Sequence, residues 1–291
     1  MQRKTVRNNV VKKLTEWLAT ITDETLRTDV MNNLLLSGGA IASMFLKEQV
    51  NDYDIYLQDK EVLLRLVKYY TKEEDGKRVL FLTTEKKPKY YGFRTTCYSL
   101  AYESLAPNQV KGFFPSDADK GGYKVLDKAE AKEGGYTLLY VSPNALSLSD
   151  KIQIILRFTG NAEQIHETFD FIHATNYFTF KEGLVTNTAA LESLLTKTLK
   201  YQGSKYPLTS IIRFKKFVLR GWSIGAGEIL KILFQVSLFD LKDVRVLEEQ
   251  LIGVDVAYFA ILINMMQGIN RDSMTSEYLN ECIDKAFDYV D

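Results

Sequence analysis

Two carboxylates at alternate positions, Asp52 and Asp54, follow a glycine pair, Gly38-Gly39, after twelve intervening residues. Side chains at i and i+2 of a strand point to one face. If the run from Asn51 to Tyr56 is extended, the two acids project together. Paired carboxylates suit hard divalent cations, which take oxygen ligands. The glycine pair follows the apolar run Leu34-Leu35-Leu36 and Ser37, and it precedes a short amphipathic segment. A glycine turn that enters a helix lets a phosphate approach backbone N–H groups where the helix dipole favours anions. Metal-holding acids beside a phosphate cradle are the parts that nucleotidyl transfer requires. Asp117-Ala118-Asp119 has the same spacing with no glycine pair before it and no strand pattern around it, and it reads as a solvated loop.

Ser37-Gly38-Gly39 followed by Asp52-Tyr53-Asp54 resembles the signature of the DNA polymerase beta-like nucleotidyltransferase superfamily. The run Asn51-Asp52-Tyr53-Asp54-Ile55-Tyr56 is most similar to nucleotidyltransferase-like proteins of tailed phages. The resemblance implies transfer of a nucleoside monophosphate from an NTP to a hydroxyl, with two Mg²⁺ or Mn²⁺ ions. It places the β/γ-phosphates at Ser37, Gly38 and Gly39, and the metals at Asp52, Asp54 and a third acid on a neighbouring strand. The expected third acid is Asp170, which sits between Phe169 and Phe171 in a run similar to a motif of the phage group. Glu103, after a strand-like run, is the alternative by chain distance. His166 and His173 flank Asp170 and read either as a base or phosphate contact, or as structural imidazoles.

The elements needed to position these residues are legible in outline. Residues 5 to 32 have helical apolar periods, through Val10, Val11, Leu14, Trp17 and Leu18, with Asp23 and Glu24 opening a second helix. Leu34 to Leu36 reads as a buried strand, 40 to 47 as a helix, 53 to 57 as a strand and 61 to 70 as a helix. Strands are expected at 79 to 84, 95 to 102 and 136 to 141, with loops or an insertion between 105 and 135. Residues 150 to 158 are expected to be helical, with Ser149 capping the start. The β-branched and aromatic run 168 to 180 is expected to be a strand. Beyond about 185 only helical periods remain. These elements give an α+β part over 1–183 and then an all-helical domain over 184–291; the resemblance implies that the first is a nucleotidyltransferase-type mixed sheet with flanking helices.

Charge divides the helical part. The whole chain of 291 residues has a net charge of zero. Residues 193 to 227 nevertheless hold seven bases and no acid: Lys197, Lys200, Lys205, Arg213, Lys215, Lys216 and Arg220. Residues 228 to 291 hold twelve acids against five bases. Tyr201, Tyr206, Phe214, Phe217 and Trp222 interleave with the bases, a pattern expected for a triphosphate or an RNA end, or for an amphipathic helix whose aromatics are core. The stretch from Tyr206-Pro207-Leu208 to Arg220-Gly221-Trp222 is similar to one in bacterial-type CCA-adding enzymes and poly(A) polymerases, where a helix reads the incoming base and contacts tRNA. Tyr206 and Thr209 depart from the Asp and Arg of that stretch. The likeness implies nucleotide contacts at Arg213, Lys216 and Arg220. Lys151 and Arg157 are further candidates for the triphosphate, or solvated charges.

The expected partners are an NTP and an RNA (tRNA-like) 3′ end. The alternatives are transfer to a protein or small molecule, as in the toxin and antibiotic-modifying branches, and a non-catalytic nucleotide-binding or virion-associated module. No membrane partner is expected: the longest apolar run, Val256 to Met266, is too short to span a bilayer. The N-terminus lacks a signal-peptide core and the two cysteines suggest no disulfide framework, so a cytoplasmic setting is expected, the host's if the chain is phage-encoded.

Overall fold

The computed structural model describes residues 2–70, 79–84, 96–103, 123–124, 135–141, 144–250, 262–263, 265–266, 269 and 274–287. Helices α1 (Arg3–Ala19) and α2 (Glu24–Asn33) form where the apolar period predicts them. Val6, Val10, Leu14, Trp17 and Leu18 bury one stripe of α1, and Asp23 Oδ1 caps α2 by accepting from the Leu26 N–H at 2.9 Å. The motif region follows in order: β1 (Leu34–Ser37), α3 (Gly39–Leu46), β2 (Tyr53–Leu57) and α4 (Lys60–Tyr70).

The remaining strands are β3 (Val79–Thr84), β4 (Thr96–Glu103), β5 (Tyr123–Lys124), β6 (Leu138–Val141), β7 (Ala145–Leu148), β8 (Ile152–Ile155), β9 (Phe158–Thr159), β10 (Tyr177–Thr179), β11 (Gly183–Val185), β12 (Thr198–Leu199) and β13 (Ser223–Ile224). Among the described residues, eight strands form a mixed sheet in the order β11-β10-β1-β2-β8-β7-β6-β5, with β2 and β8 parallel. Strands β3, β4 and β9 form a second, smaller sheet. The further helices are α5 (Ala162–His166), α6 (Thr188–Thr196), α7 (Pro207–Leu219), α8 (Ala226–Val236), α9 (Val244–Gln250) and α10 (Ser276–Phe287).

Alternation along the central strands gives the main sheet two faces. Leu34, Leu36, Ile55, Leu57, Ile152, Ile154 and Phe178 pack with α1, α2, α3 and α4 in the main core. Leu35, Tyr56 and Ile165 form a smaller cluster on the other face, with Ile155, Phe158, Phe169 and Tyr177 against it. A third cluster joins Ala42 of α3 and Phe171 to Leu194, Leu199, Tyr201, Trp222 and Ile232, which seats the helical region beside the motif helix.

Three expectations are corrected. Residues 152–155 are the strand β8, not a helix, because Ile152 and Ile154 alternate into the main core next to β2. The turn before it is a short 3-10 segment, Ser149–Lys151, with Asp150 and Lys151 at φ 55° and 66°, so Ser149 does not cap an α-helix. Only Tyr177–Thr179 of the run 168 to 180 is a strand. Thr168 and Thr175 turn their hydroxyls back onto the carbonyls of Ile165 and Ile172, at 2.7 and 2.8 Å, and these local bonds close turns instead of extending a ladder. Past residue 185 a two-residue parallel pair, β12 with β13, interrupts the helices. The loop expected at 105 to 135 and the Asp117/Asp119 pair lie outside the described residues, apart from β5.

Candidate active site

The motif residues lie in one row across the sheet. Tyr177 of β10 is opposite Ser37 of β1, Leu36 is opposite Ile55 of β2, and Asp54 is opposite Gln153 of β8. Tyr177, Ser37, Asp54 and Gln153 are therefore neighbours on the face away from the main core. Asp52 immediately precedes β2 and is exposed. Gly38 makes the sharp exit from β1 at φ 90°, ψ −148°, a conformation open to glycine and strained for side chains. A Cβ on Gly38 would come within 3.3 Å of Asp54 Oδ2, whereas one on Gly39 would meet no atom within 4 Å. The Gly38 N–H is already engaged by the Ala174 carbonyl at 3.1 Å. The amide donors left for an anion are thus those of the first turn of α3, beginning at Gly39.

Asp54 keeps a little accessible surface but is enclosed by protein on most sides. Burial, and then the neighbouring Asp52 carboxylate, push its pKa up to about 7 from 3.8, with Arg213 pulling the other way. A carboxylate raised by burial and by a neighbouring acid fits a bound cation, and the pair's all-oxygen donor set suits Mg²⁺ or Mn²⁺. Tyr56, buried behind Asp54, is raised well above the usual tyrosine range by burial and by that carboxylate.

The third-acid candidates are placed differently. Among the described residues, no three His, Cys, Asp or Glu side chains form a metal-holding group, so Asp170 is not clustered with Asp52 and Asp54. Asp170 is buried and accepts from Ser204 Oγ at 2.6 Å and from Arg213 Nη1. It holds Arg213, whose field reaches Asp54 and Tyr56. Glu103 ends β4 in the smaller sheet, paired with Val79, and its side chain lies outside the described residues. The position facing Asp54 on the adjacent strand is Gln153, an amide. Its sequence signal is the alternation of Ile152, Gln153 and Ile154, too short to distinguish a strand from the helical period of 150 to 158.

Both histidines are neutral near pH 7, each lowered to about 4 chiefly by burial. The Ser37 hydroxyl donates to the Asn176 carbonyl at 3.0 Å. Ser37 Oγ also shares a hydrogen bond with His166 Nε2 across 2.8 Å. His173 is packed among Phe171, Phe217 and Trp222.

Most candidate cations are occupied within the fold. Lys151 Nζ donates to the Val50 carbonyl at 2.7 Å. Arg157 is buried, bonded to Asn144 Oδ1 at 3.1 Å and lying over the Tyr206 ring. Lys197 and Arg220 share Glu48, which follows α3, and Lys200 pairs with Glu192. Lys205 is buried against Tyr206, and Lys216 is exposed on α7. Phe214, Phe217 and Trp222 belong to the third hydrophobic cluster.

The positive-φ turn after β1, the acid pair at the start of the central strand β2 and the trailing helices match the expected α+β class, a mixed sheet with flanking helices followed by a helical part. The chain belongs to the Gabija anti-defense 2 family, whose model matches residues 9–197. It is 22% identical over 269 residues to "Gabija anti-defense 2" of Bacillus phage SPbetaL7. That match covers 89% of this chain and 50% of the relative, so the chain spans about half the length of the curated relative it matches. Solved structures similar to it include the Thermotoga maritima CCA-adding enzyme complexed with tRNA, at 14% identity and TM-score 0.36, covering 87% of this chain and 55% of that one. Another is the Bacillus stearothermophilus CCA-adding enzyme in complex with CTP, at 11% identity and TM-score 0.37, covering 92% and 57%. No described helix is long and apolar enough to cross a membrane.

Proposed function

We propose that the chain is a metal-dependent nucleotidyltransferase that moves a nucleoside monophosphate from an NTP to an acceptor hydroxyl, and that this transfer counters a Gabija defence. The observation that carries the reading is the meeting of Gly38 with Asp54 where the end of β1 lies beside the start of β2, a Cβ built on Gly38 falling only 3.3 Å from Oδ2, beside Asp52. Asp52 and Asp54 would hold the divalent ions, and Gln153, opposite Asp54 on β8, would add no charge to them. When bound, such ions lower the pKa of the attacking hydroxyl and balance charge on the departing pyrophosphate. The first amides of α3 face the β/γ-phosphates, and Ser37, held by His166 and Asn176, fixes the turn that presents them. Arg213, oriented by Asp170, adds a positive charge on the nucleotide side. The ion pairs that engage Lys197, Lys200, Arg213 and Arg220 support a protein or small-molecule hydroxyl as acceptor over an RNA 3′ end.

Incubation with each α-labelled NTP, Mg²⁺ or Mn²⁺, and either total RNA or total protein from cells carrying the defence tests the reading. Label should move to protein or a small molecule, and Asp54→Asn should abolish it. NTP binding with no transfer to any acceptor would instead support a non-catalytic nucleotide-binding module.

A further inference from the structure

Helix α8 is apolar on two sides. Its inner side is used: Ile232 is buried and Val236 packs with it in the third cluster, beside Ala42 of α3 and Trp222. Its outer side carries Leu230, Leu233 and Phe234, with Leu238 just past the Ser237 cap. These four keep 52%, 50%, 71% and 70% of their surface exposed. Single exposed leucines are ordinary, but these residues fall at i, i+3, i+4 and i+8, one continuous stripe along a helix. A helix that is apolar on both sides belongs inside a protein, not on its surface. At roughly 200 Å² for a whole large apolar side chain, the stripe exposes about 500 Å², as much as the largest patch on a typical monomer. The same stripe contains a gap. Gly227 lies in the first turn of α8, one turn before Leu230 and two before Phe234. Its φ is not positive, and a Cβ built on it would meet no atom within 4 Å. Alanine is the better helix former and would fit there, so nothing within one copy accounts for the glycine.

We propose that this stripe is a two-fold interface between two copies of the chain, with their α8 helices antiparallel. A two-fold contact is self-complementary, the same patch serving on both sides. The stripe meets that condition. When the helices pair about a point between Leu230 and Lys231, residue 234 of each copy stands opposite residue 227 of the other. The Phe234 ring then enters the gap at the partner's Gly227, and the two Leu230 side chains meet at the axis. Two stripes of about 500 Å² bury about 1,000 Å² of apolar surface, the size at which specific interfaces begin, before any rim is counted. The charges of α8 do not oppose the pairing. Glu228 and Lys231 bond to each other at 2.9 Å, and the net charge of the chain is zero. An anionic membrane surface would want an excess of bases along the helix, and α8 has one base and one acid. Ile232 turns toward Ala42 of α3, so the outer stripe faces away from the motif helix and pairing leaves both acid pairs open. The interface goes beyond the transfer reading and does not depend on it.

The test is sedimentation equilibrium of the full chain across the micromolar range. The expected species has twice the 33.3 kDa mass of one chain. Two variants examine the geometry: Phe234→Glu puts a charge into the pair, and Gly227→Leu fills the gap. Both positions are exposed in a single copy, so both variants should keep the circular dichroism of the wild type. Each should raise the dimer dissociation constant by at least about tenfold, the scale of one central interface side chain. If Phe234→Glu failed to fold, Gly227→Leu would decide alone. A wild type that stays monomeric throughout the range would overturn the proposal and leave the stripe to a different protein or to further polypeptide. A dimer that survives a folded variant unchanged would overturn it too, because its interface would lie elsewhere.

Discussion

Asp54→Asn should make the metal-free protein more stable while abolishing transfer. The Asp54 carboxyl moves from 3.8 to about 7 on folding, driven first by burial and then by Asp52. It therefore binds a proton more tightly in the folded than in the unfolded chain. Folded stability falls as pH rises from about 4 to about 7, and the full penalty is present above that window. At about 1.4 kcal/mol per tenfold change in proton affinity, the ceiling of the penalty is about 4 kcal/mol. An asparagine removes the charge but leaves an amide to be satisfied in the same enclosed place, so a net gain of about 2 kcal/mol is expected. Urea unfolding at about pH 8 in chelator should show this gain, and the gain should shrink by more than half near pH 5 as the wild-type carboxyl takes up its proton. Mg²⁺ binds the folded state and should stabilise the wild type far more than the variant. A variant no more stable than wild type at high pH in chelator, or one stabilised equally by Mg²⁺, would refute the reasoning.

The two glycines should separate in their effects. Gly38→Ala forces a side chain into a glycine-only conformation and against Asp54, and should lose about 1–3 kcal/mol of stability in urea melts. Gly39→Val has open space and should fold, but weaken NTP binding by about 2 kcal/mol if phosphate meets the backbone there; unchanged affinity would reduce the pair to a structural turn. Arg213→Met leaves the buried Asp170 with Ser204 alone of its two bonded partners and should lose about 3 kcal/mol, most of it recovered by adding Asp170→Asn; a loss under about 1 kcal/mol would contradict the pairing. Replacing Lys215, Lys216 and Arg220 together by Gln should change the log–log salt slope of RNA binding by about 1.4 or less, since Arg220 is engaged by Glu48 and each phosphate contact on a single strand contributes about 0.7; a change of about two would restore RNA as the acceptor.

The local chemistry was legible in the residues alone. The order Ser37-Gly38-Gly39 and Asp52-Tyr53-Asp54 requires only strand alternation and a glycine turn, both set by neighbours a few residues apart. For the same reason the stripe of α1 and the bounds of α3, β2 and α4 follow from periodicity. What the tertiary structure decided is which distant groups face those residues. Ile152-Gln153-Ile154 has too short an alternation to distinguish strand from helix, and only its seat beside β2 shows that an amide, not an acid, faces Asp54. The uncompensated charge of residues 193–227 is a property of a window along the chain. In the folded protein Glu48, Asp170 and Glu192, all outside that window, pair with four of its bases. Charges interact through space over a few ångströms, and no reading along the chain contains the distance from Arg220 to Glu48.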